Sequence, residues 1–218
     1  MTSLLPPSSR LLVAAPLRLE ASALRRGGSG LRVLRTGAGP ARARRAAEHL
    51  RRDAAEALLV AGVCGALDPS LEPGDVLVAS ELRDPLGDPA GRVRALDCDA
   101  LYEALASLGL RVRVGAIVGS DHVVRGAERA RLFETGARAV DMESPWLATG
   151  AGERPFGVVR VVVDGPEYEL LRPAALSRGL RALRTLSAVA PGLQRWAAHV
   201  APDAPVSVPA PGVSHAAL

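Results

Sequence analysis

Residues 156–164 read FGVVRVVVD, an apolar run that contains one arginine and ends on an aspartate. Its length and its β-branched side chains predict a strand that is buried on both faces. Similar runs of Val, Leu and Ala, bounded by Gly or by charged residues, occur at 10–15, 31–37, 56–62, 75–80, 112–121 and 138–142. The sequence therefore predicts a fold built around buried strands.

Segments with helical periodicity separate several of these strands. They are LRLEASALRR (17–26), GPARARRAAEHLRRD (39–53), DALYEALASLG (99–109) and GAERARLFETG (126–136). A longer amphipathic pattern covers 173–200, and the Pro-Gly pair at 191–192 is expected to break it. Alternating strands and helices predict an α/β fold with a central mixed, largely parallel, twisted sheet flanked by helices.

The length of 218 residues fits one compact domain, which we expect at 10–200. Residues 1–9 are predicted to be a disordered N-terminal tail, and 201–218 a loose tail rich in Pro and Ala. The apolar run LLVAAPL near the N-terminus is too short and too closely followed by charges for a signal peptide or a membrane span. We therefore expect a cytoplasmic protein with no stable membrane insertion.

The composition, 48% apolar and 23% charged, is typical of a soluble globular protein. All 27 basic residues are arginine, a bias typical of GC-rich bacterial genomes, and the net charge is only +4. Six aromatic residues are few for a surface that stacks on nucleic-acid bases. The two cysteines, Cys64 and Cys98, and the four histidines match no metal-site spacing, so no metal or cofactor is expected.

Acidic residues lie where predicted strands end. In open α/β sheets, ligands bind beyond the carboxyl ends of strands. Glu20 follows the first strand, Ser120-Asp121-His122 the fifth and Asp164 the last, while Asp141 and Glu143 lie in AVDMESPWLAT. A charge out of water is costly unless it is paired, so these acids either face solvent in loops and caps or line a cavity that uses them.

Four segments, taken together, resemble the superfamily of purine nucleoside phosphorylases and methylthioadenosine/S-adenosylhomocysteine nucleosidases. They are RTGAGPARA (35–43), GVCGALDPSLEPGDVLVASELRD (62–84), AVDMESPWLA (139–148) and FGVVRVVVDG (156–165). Their order and spacing agree with the superfamily over about residues 10 to 190. The resemblance implies cleavage of the N-glycosidic bond of an adenine nucleoside, with release of adenine, by hydrolysis or phosphorolysis.

Within the superfamily, LRLEASALR, GSDHVVRGAER and VVVDGPEYELLR most resemble the actinobacterial hopanoid-associated phosphorylases. That resemblance implies a 5′-modified adenosine as substrate, adenosylhopane, whose 5′ carbon carries a triterpene, in hopanoid biosynthesis. The alternative is a methylthioadenosine/S-adenosylhomocysteine-type nucleosidase. Rivals of another class are a nucleic-acid-binding module that uses the five arginines of 40–52, and a catalytically inactive structural subunit.

The resemblance also assigns residues. Asp164 matches the acid that contacts the N7 and N6 edge of the purine and acts as general acid, for which its pKa would have to be raised by burial. Glu143 matches the acid that binds the ribose hydroxyls, and Met142 the residue under the sugar. Glu20 matches the acid that activates water, and Arg160 the arginine behind the nucleophile.

The identity of the nucleophile stays open. The predicted nucleophile or phosphate pocket comprises Gly37, Gly39, Gly62, Cys64 and Gly65. Glu20 would repel phosphate, which favours water. Arg18, Arg42 and the amides of RTGAGPAR could instead cradle an anion, so inorganic phosphate is a possible co-substrate.

Departures from the superfamily pattern mark the base and the 5′ side. His122 and Val123 stand where an aromatic residue usually stacks on the base, and Val163 replaces a serine before Asp164. Tyr168 and Leu171 could line an apolar pocket for the 5′ substituent, or form an oligomer interface. We expect a small-molecule nucleoside substrate, no nucleic-acid partner, and a homodimer or higher homo-oligomer.

Overall fold

The computed structural model describes residues 10–84, 92–166 and 175–201. The predicted tails, apart from Ala201, lie outside these residues, as do Tyr168 and Leu171. The strands are β1 Leu11–Ala15, β2 Arg32–Arg35, β3 Ala57–Ala66, β4 Val76–Asp84, β5 Arg92–Ala95, β6 Val112–Gly119, β7 Ala137–Asp141 and β8 Phe156–Asp164. The helices are α1 Arg18–Gly27, α2 Pro40–Arg52, α3 Asp99–Ala106, α4 Ala127–Glu134, α5 Ser144–Ala148 and α6 Ala175–Val200.

The strands form one mixed sheet, as predicted. Strand β1 lies between β2 and β3 in parallel, β3 continues in parallel to β8, and β4 pairs in parallel with β6, which pairs in parallel with β7. Antiparallel pairs join β3 to β7, β4 to β8 and β4 to β5. Strands β3, β8, β4, β6 and β7 thus close into a ring, so the carboxyl ends of β3 and β8 and of β7 meet at one end.

Helices cover the sheet on two sides, each with its own apolar core. Helices α1, α3 and α6 pack Leu24, Leu105 and Trp196 against one side. Helices α2 and α5 pack Leu50 and Trp146 against the other. The apolar runs of the sequence are buried on both faces because helices lie over both. No helix in the described part of the chain is long and apolar enough to cross a membrane.

Two features differ from the sequence expectations. Helix α6 runs unbroken from Ala175 to Val200 with Pro191 inside it, so the predicted break at 191–192 is wrong. A side chain at Gly192 would lie 2.8 Å from Leu105 and 3.0 Å from the Ala104 carbonyl oxygen, so this glycine allows α3 to approach α6 closely. Strand β5 was not predicted, because a run of four residues with two arginines carries no apolar pattern.

The packing of α1 on α6 makes Gly27 a test of the fold. A Cβ there would lie 1.8 Å from the Ser187 carbonyl oxygen, whereas a Cβ at Gly179 of α6 meets no atom within 4 Å. We expect Gly27→Ala to lower the free energy of unfolding by about 1–3 kcal/mol through overpacking. Gly179→Ala should raise it by about 0.5–1 kcal/mol, because alanine favours the helix. Urea denaturation checks both, and equal stabilities would contradict the packing.

Candidate active site

One cavity lies at the carboxyl ends of β1, β3, β7 and β8, where the sequence places its strand-end acids. Among the residues predicted for the site, those that line it are Glu20, Cys64, Gly65, His122, Val123, Met142, Glu143 and Asp164. Acids that are separated by up to 144 positions in the chain thus face a common space. The interpretation that the acids lie in exposed loops does not hold for Glu20, Glu143 and Asp164, which are all buried.

Arg160 is the fully buried centre of this acid cluster. It lies in the middle of β8, and its Nε is 2.7 Å from Asp141 Oδ2. Its Nη2 donates to Ser144 Oγ at 2.9 Å and to Glu143 Oε2 at 3.4 Å. A buried guanidinium is stable only with such partners. Arg160 therefore ties β8 to the turn between β7 and α5.

Asp141 and Glu143 make different contacts at that turn. Asp141 Oδ1 accepts the backbone amides of Glu143 at 3.0 Å and Ser144 at 2.9 Å, which starts α5. Glu143 Oε1 accepts the amide of Gly39 at 3.0 Å. Burial raises the pKa of Glu143 to about 7; Arg160 opposes this rise and Asp141 adds to it. Asp141 thus holds the turn, and Glu143 faces the cavity beside Met142.

Glu20 bridges the first turn of α1 to strand β3. Its carboxylate accepts the amides of Leu17 at 2.6 Å and Val63 at 2.8 Å. Burial raises its pKa, against the lowering effect of Arg160 and of the two amides. A Cβ at Gly62 would lie 2.6 Å from Arg160 Nη1 and 2.8 Å from Glu20 Oε1. Gly62 is therefore required because any side chain there would push the acid and the guanidinium apart.

Asp164 forms a second buried ion pair at the far end of the cavity. Its Oδ2 is bonded to Arg129 Nη2, while Arg129 Nη1 donates to the Ala66 carbonyl oxygen at 2.6 Å. The β3–β8 register shifts just before Asp164, so Val163 is bulged. A guanidinium beside a carboxylate favours its ionised form. A protonated general acid would need an environment without such a cation beside it.

Gly65 belongs to this second ion pair. A Cβ there would lie 3.0 Å from Asp164 Oδ1 and 3.1 Å from Arg129 Nη1. The sequence predicts Gly65 in the nucleophile or phosphate pocket. The structure places it at the opposite end, because it lies three positions further along β3 than Gly62.

His122 and Val123 lie at the edge of the cavity. The His122 ring is within 2.7 Å of Asp121 Oδ1 and 3.0 Å of Glu128 Oε2, and these hydrogen bonds raise its pKa. Val123 is 45% exposed and carries no ring that could stack on a base. Cys64 is buried in the cavity wall, and burial raises the pKa of its thiol. Its sulfur therefore stays neutral.

Several groups of the glycine-rich loop that could have cradled an anion are engaged by other parts of the protein. The Gly39 amide is used by Glu143, and Gly37, with a φ of +84°, packs on the side chain of Arg42. Arg42 donates to the Ala38 carbonyl oxygen and lines a separate surface groove. Arg18 lines another groove. Neither of the two arginines that could have bound phosphate lines the cavity.

Arg129 and Ser144 are the site residues that sequence reasoning missed. Ser144 follows Glu143 directly and could have been found as part of that motif. Arg129 has no such signal, because it lies in a polar helix whose other side chains are less buried. Within the described ranges, no group of three or more His, Cys, Asp or Glu side chains is arranged to bind a metal ion.

Residues 19–186 match the sequence pattern of the phosphorylase superfamily, which is more than half of the chain. The chain belongs to the phosphorylase superfamily. No curated protein sequence matches it significantly. The four motifs of the sequence analysis and the ring of strands are thus features of one superfamily fold.

Solved structures of nucleosidases share this superfamily fold. The 5′-methylthioadenosine/S-adenosylhomocysteine nucleosidase of Campylobacter jejuni superposes with a TM-score of 0.73 at 18% identity, covering 86% of this chain and 97% of the other. The corresponding nucleosidase of Colwellia psychrerythraea, in complex with adenine, gives 0.69 at 21% identity, covering 85% and 95%. Futalosine hydrolase of Helicobacter pylori gives 0.69 at 16%, covering 87% and 97%.

The buried carboxyl of Glu143 predicts a pH-dependent stability. Because burial raises its pKa from 4.5 to about 7, the folded chain keeps a proton that the unfolded chain releases. The free energy of unfolding should therefore fall between about pH 5 and pH 8. In Glu143→Gln this fall should shrink by on the order of 3 kcal/mol, from ~1.4 kcal/mol per pKa unit. Urea denaturation at both pH values measures it, with exposed Glu153→Gln as control; an unchanged slope in Glu143→Gln would contradict it.

Proposed function

We propose that this superfamily member cleaves the N-glycosidic bond of an adenine nucleoside and releases adenine. The observation that supports the proposal is the convergence of Glu20, Glu143 and Asp164 on one cavity, with Arg160 directly behind the first two. Cleavage of this bond passes through a positively charged sugar and leaves electrons on the base. Carboxylates near the sugar and a polar partner for the base meet both requirements.

Glu143 is the proposed ribose ligand. Its Oε1 and Oε2 are held by the Gly39 amide and by Arg160, so the carboxylate is fixed while it faces the cavity. A fixed carboxylate can accept hydrogen bonds from sugar hydroxyls, and these bonds strengthen as the sugar becomes positive. Met142, beside it in the cavity wall, provides the apolar surface under the sugar.

Asp164 is the proposed ligand of the purine edge. Adenine presents there an N6 amino group, which donates, and N7, which accepts. The general-acid role implied by the resemblance requires the protonated carboxyl, whereas the pair with Arg129 favours the ionised one. We therefore propose that Asp164 binds the base as a charged acceptor of the N6 amino group.

Water is the proposed nucleophile. Among the described residues that line the cavity, four are carboxylic acids and one is an arginine, Arg129, which pairs with Asp164 at the base end. Arg160 lies behind the wall and is shared by Asp141 and Glu143. Phosphate would meet negative charge near Glu20 that Arg160 compensates only in part. Burial raises the pKa of Glu20, and a carboxylate with a raised pKa is a stronger base that is better suited to take a proton from water.

A 5′-modified adenosine such as adenosylhopane is the proposed substrate. Leu17 and Val123 line the cavity and are 43% and 45% exposed, so an apolar substituent would find apolar surface at the rim. The alternative, a methylthioadenosine or S-adenosylhomocysteine substrate, is favoured by the fold shared with nucleosidases of that name. Both substrates would be cleaved at the same bond, the N-glycosidic bond to adenine.

Product analysis tests the proposal. The protein is incubated with adenosine, methylthioadenosine and adenosylhopane, each with and without phosphate, and adenine and the sugar product are quantified. We expect adenine release from a 5′-modified adenosine, a free sugar as product and no dependence on phosphate. The absence of adenine release from all three nucleosides would overturn the proposed function, and a sugar phosphate as main product would overturn water as nucleophile.

Asp164→Asn tests the base end. The amide removes the charged acceptor and leaves the Arg129 guanidinium buried without its counter-ion. We expect kcat/KM for adenine release to fall by about 10²-fold or more. Asp68→Asn is the matched control, since Asp68 pairs with Arg138 and neither lines the cavity. Near-parental activity of Asp164→Asn would contradict the assignment.

Glu20→Gln tests the nucleophile. Glutamine retains the shape of the side chain but cannot take a proton from water, so hydrolysis should fall by about 10²-fold or more. Adenine affinity, measured by calorimetry, should change little because Glu20 lies at the other end of the cavity from Asp164. A variant that keeps its turnover, or gains it when phosphate is added, would show that water activation by Glu20 is wrong.

A further inference from the structure

Arg129 is a buried cation in a helix that otherwise faces solvent or packs only partly. It lies in α4 and is 3% exposed. The structure describes all of this helix, and no other residue in it is buried. Placing a guanidinium there costs several kcal/mol unless its partners compensate. In the described structure it has two hydrogen-bond acceptors, the Asp164 carboxylate and the Ala66 carbonyl oxygen.

The donors of Arg129 exceed these two acceptors. A guanidinium carries five N–H groups. The Nε is buried and has no hydrogen-bond partner among the described residues, and the side chain forms part of the cavity wall beside Asp164. A buried donor without a partner is rare in folded proteins and calls for an explanation. Because Arg129 also lines the cavity, a ligand there that offers an acceptor can meet the N–H groups of Nη1 and Nη2 that Ala66 and Asp164 leave unused.

The edge of adenine matches this pair of side chains. Ionised Asp164 can only accept hydrogen bonds, and Arg129 can only donate them. Adenine offers the N6 amino donor to the first and the N7 acceptor to the second, whereas guanine offers acceptors at both positions, O6 and N7. A 6-oxopurine would therefore bring its O6 against a negative carboxylate.

We propose that Arg129 is a catalytic residue that donates a hydrogen bond to N7 of the departing adenine, while Asp164 accepts one from its N6 amino group. The inference rests on the proposed function and deepens it. The C1′–N9 bond breaks and its electron pair stays on the purine, where the guanidinium charge stabilises it. Water forms the new C1′–O bond and gives a proton to Glu20, and adenine takes up one proton from solvent. Arg129 transfers none.

The parent protein alone can test the donor. Adenine and 7-deazaadenine differ in the acceptor at position 7, and calorimetry gives the affinity of each between about pH 6 and pH 8.5. We expect adenine to bind at least about tenfold more tightly, with a ratio that does not change with pH, because arginine stays charged throughout. A ratio that falls towards one as pH rises would assign the donor to a titrating side chain, Asp164 or His122, and overturn the proposal.

Variants of Arg129 provide the second test. In Arg129→Gln the preference for adenine over 7-deazaadenine should fall at least about fivefold, and the preference over hypoxanthine should also shrink. Arg138→Gln is the control, because it breaks an Arg–Asp pair outside the cavity and should leave both preferences unchanged. Circular dichroism and thermal melting identify variants that do not fold. If Arg129→Gln does not fold, Arg129→Lys, which keeps the charge, is measured instead. It should lower the preference for adenine over 7-deazaadenine.

The outcomes separate this inference from the proposed function. A folded Arg129→Gln or Arg129→Lys with parental preferences overturns the role of Arg129 while adenine release by the parent can stand. A parent protein that binds neither adenine nor 7-deazaadenine overturns the proposed function itself, and the inference with it.

Discussion

The buried guanidinium of Arg160 is the constraint on which the fold and the site both depend. A charge in the middle of a strand that is covered on both sides would be prohibitive without counter-charges. Asp141 and Glu143 provide them, and Ser144 accepts two of its N–H groups. These partners lie in the turn after β7, so that turn must meet β8. The contacts that hold this turn against β8 therefore also bring Asp141 and Glu143 to the cavity.

The same constraint sets the proton chemistry of the cavity. One guanidinium cannot fully compensate several carboxylates, and burial disfavours each charged acid further. Glu143 and Glu20 both respond with raised pKa values. Groups that exchange protons near neutral pH are those that act as general acids and bases. The burial that costs stability at high pH thus also gives Glu143 a carboxyl that exchanges its proton near neutral pH.

The sequence predicts well what depends on local pattern. Strand β8 spans the nine residues of FGVVRVVVD, and Glu20, Glu143 and Asp164 line the cavity as the rule for α/β sheets predicts. Helix α6 passes through Pro191 because its packing against α1 and α3 outweighs a local helix-breaking preference. Arg129 could not be predicted, since its burial depends on Asp164, 35 positions away in the chain. Whether a charged side chain is buried depends on partners far away in the sequence, and hydrophobic periodicity does not identify those partners.

Strand β3 relates the two ends of the cavity. Gly62 makes room for Glu20 and Arg160, and Gly65 makes room for Asp164 and Arg129. Three residues of strand span about 10 Å. Each glycine thus admits one carboxylate and one guanidinium, and the two pairs lie at opposite ends of the cavity. The first pair can exchange protons because its acid is only partly compensated. The second pairs one carboxylate directly with one guanidinium. The proposed division of the site, with a water-activating acid at one end and a donor to the leaving group at the other, follows from this difference between the two pairs.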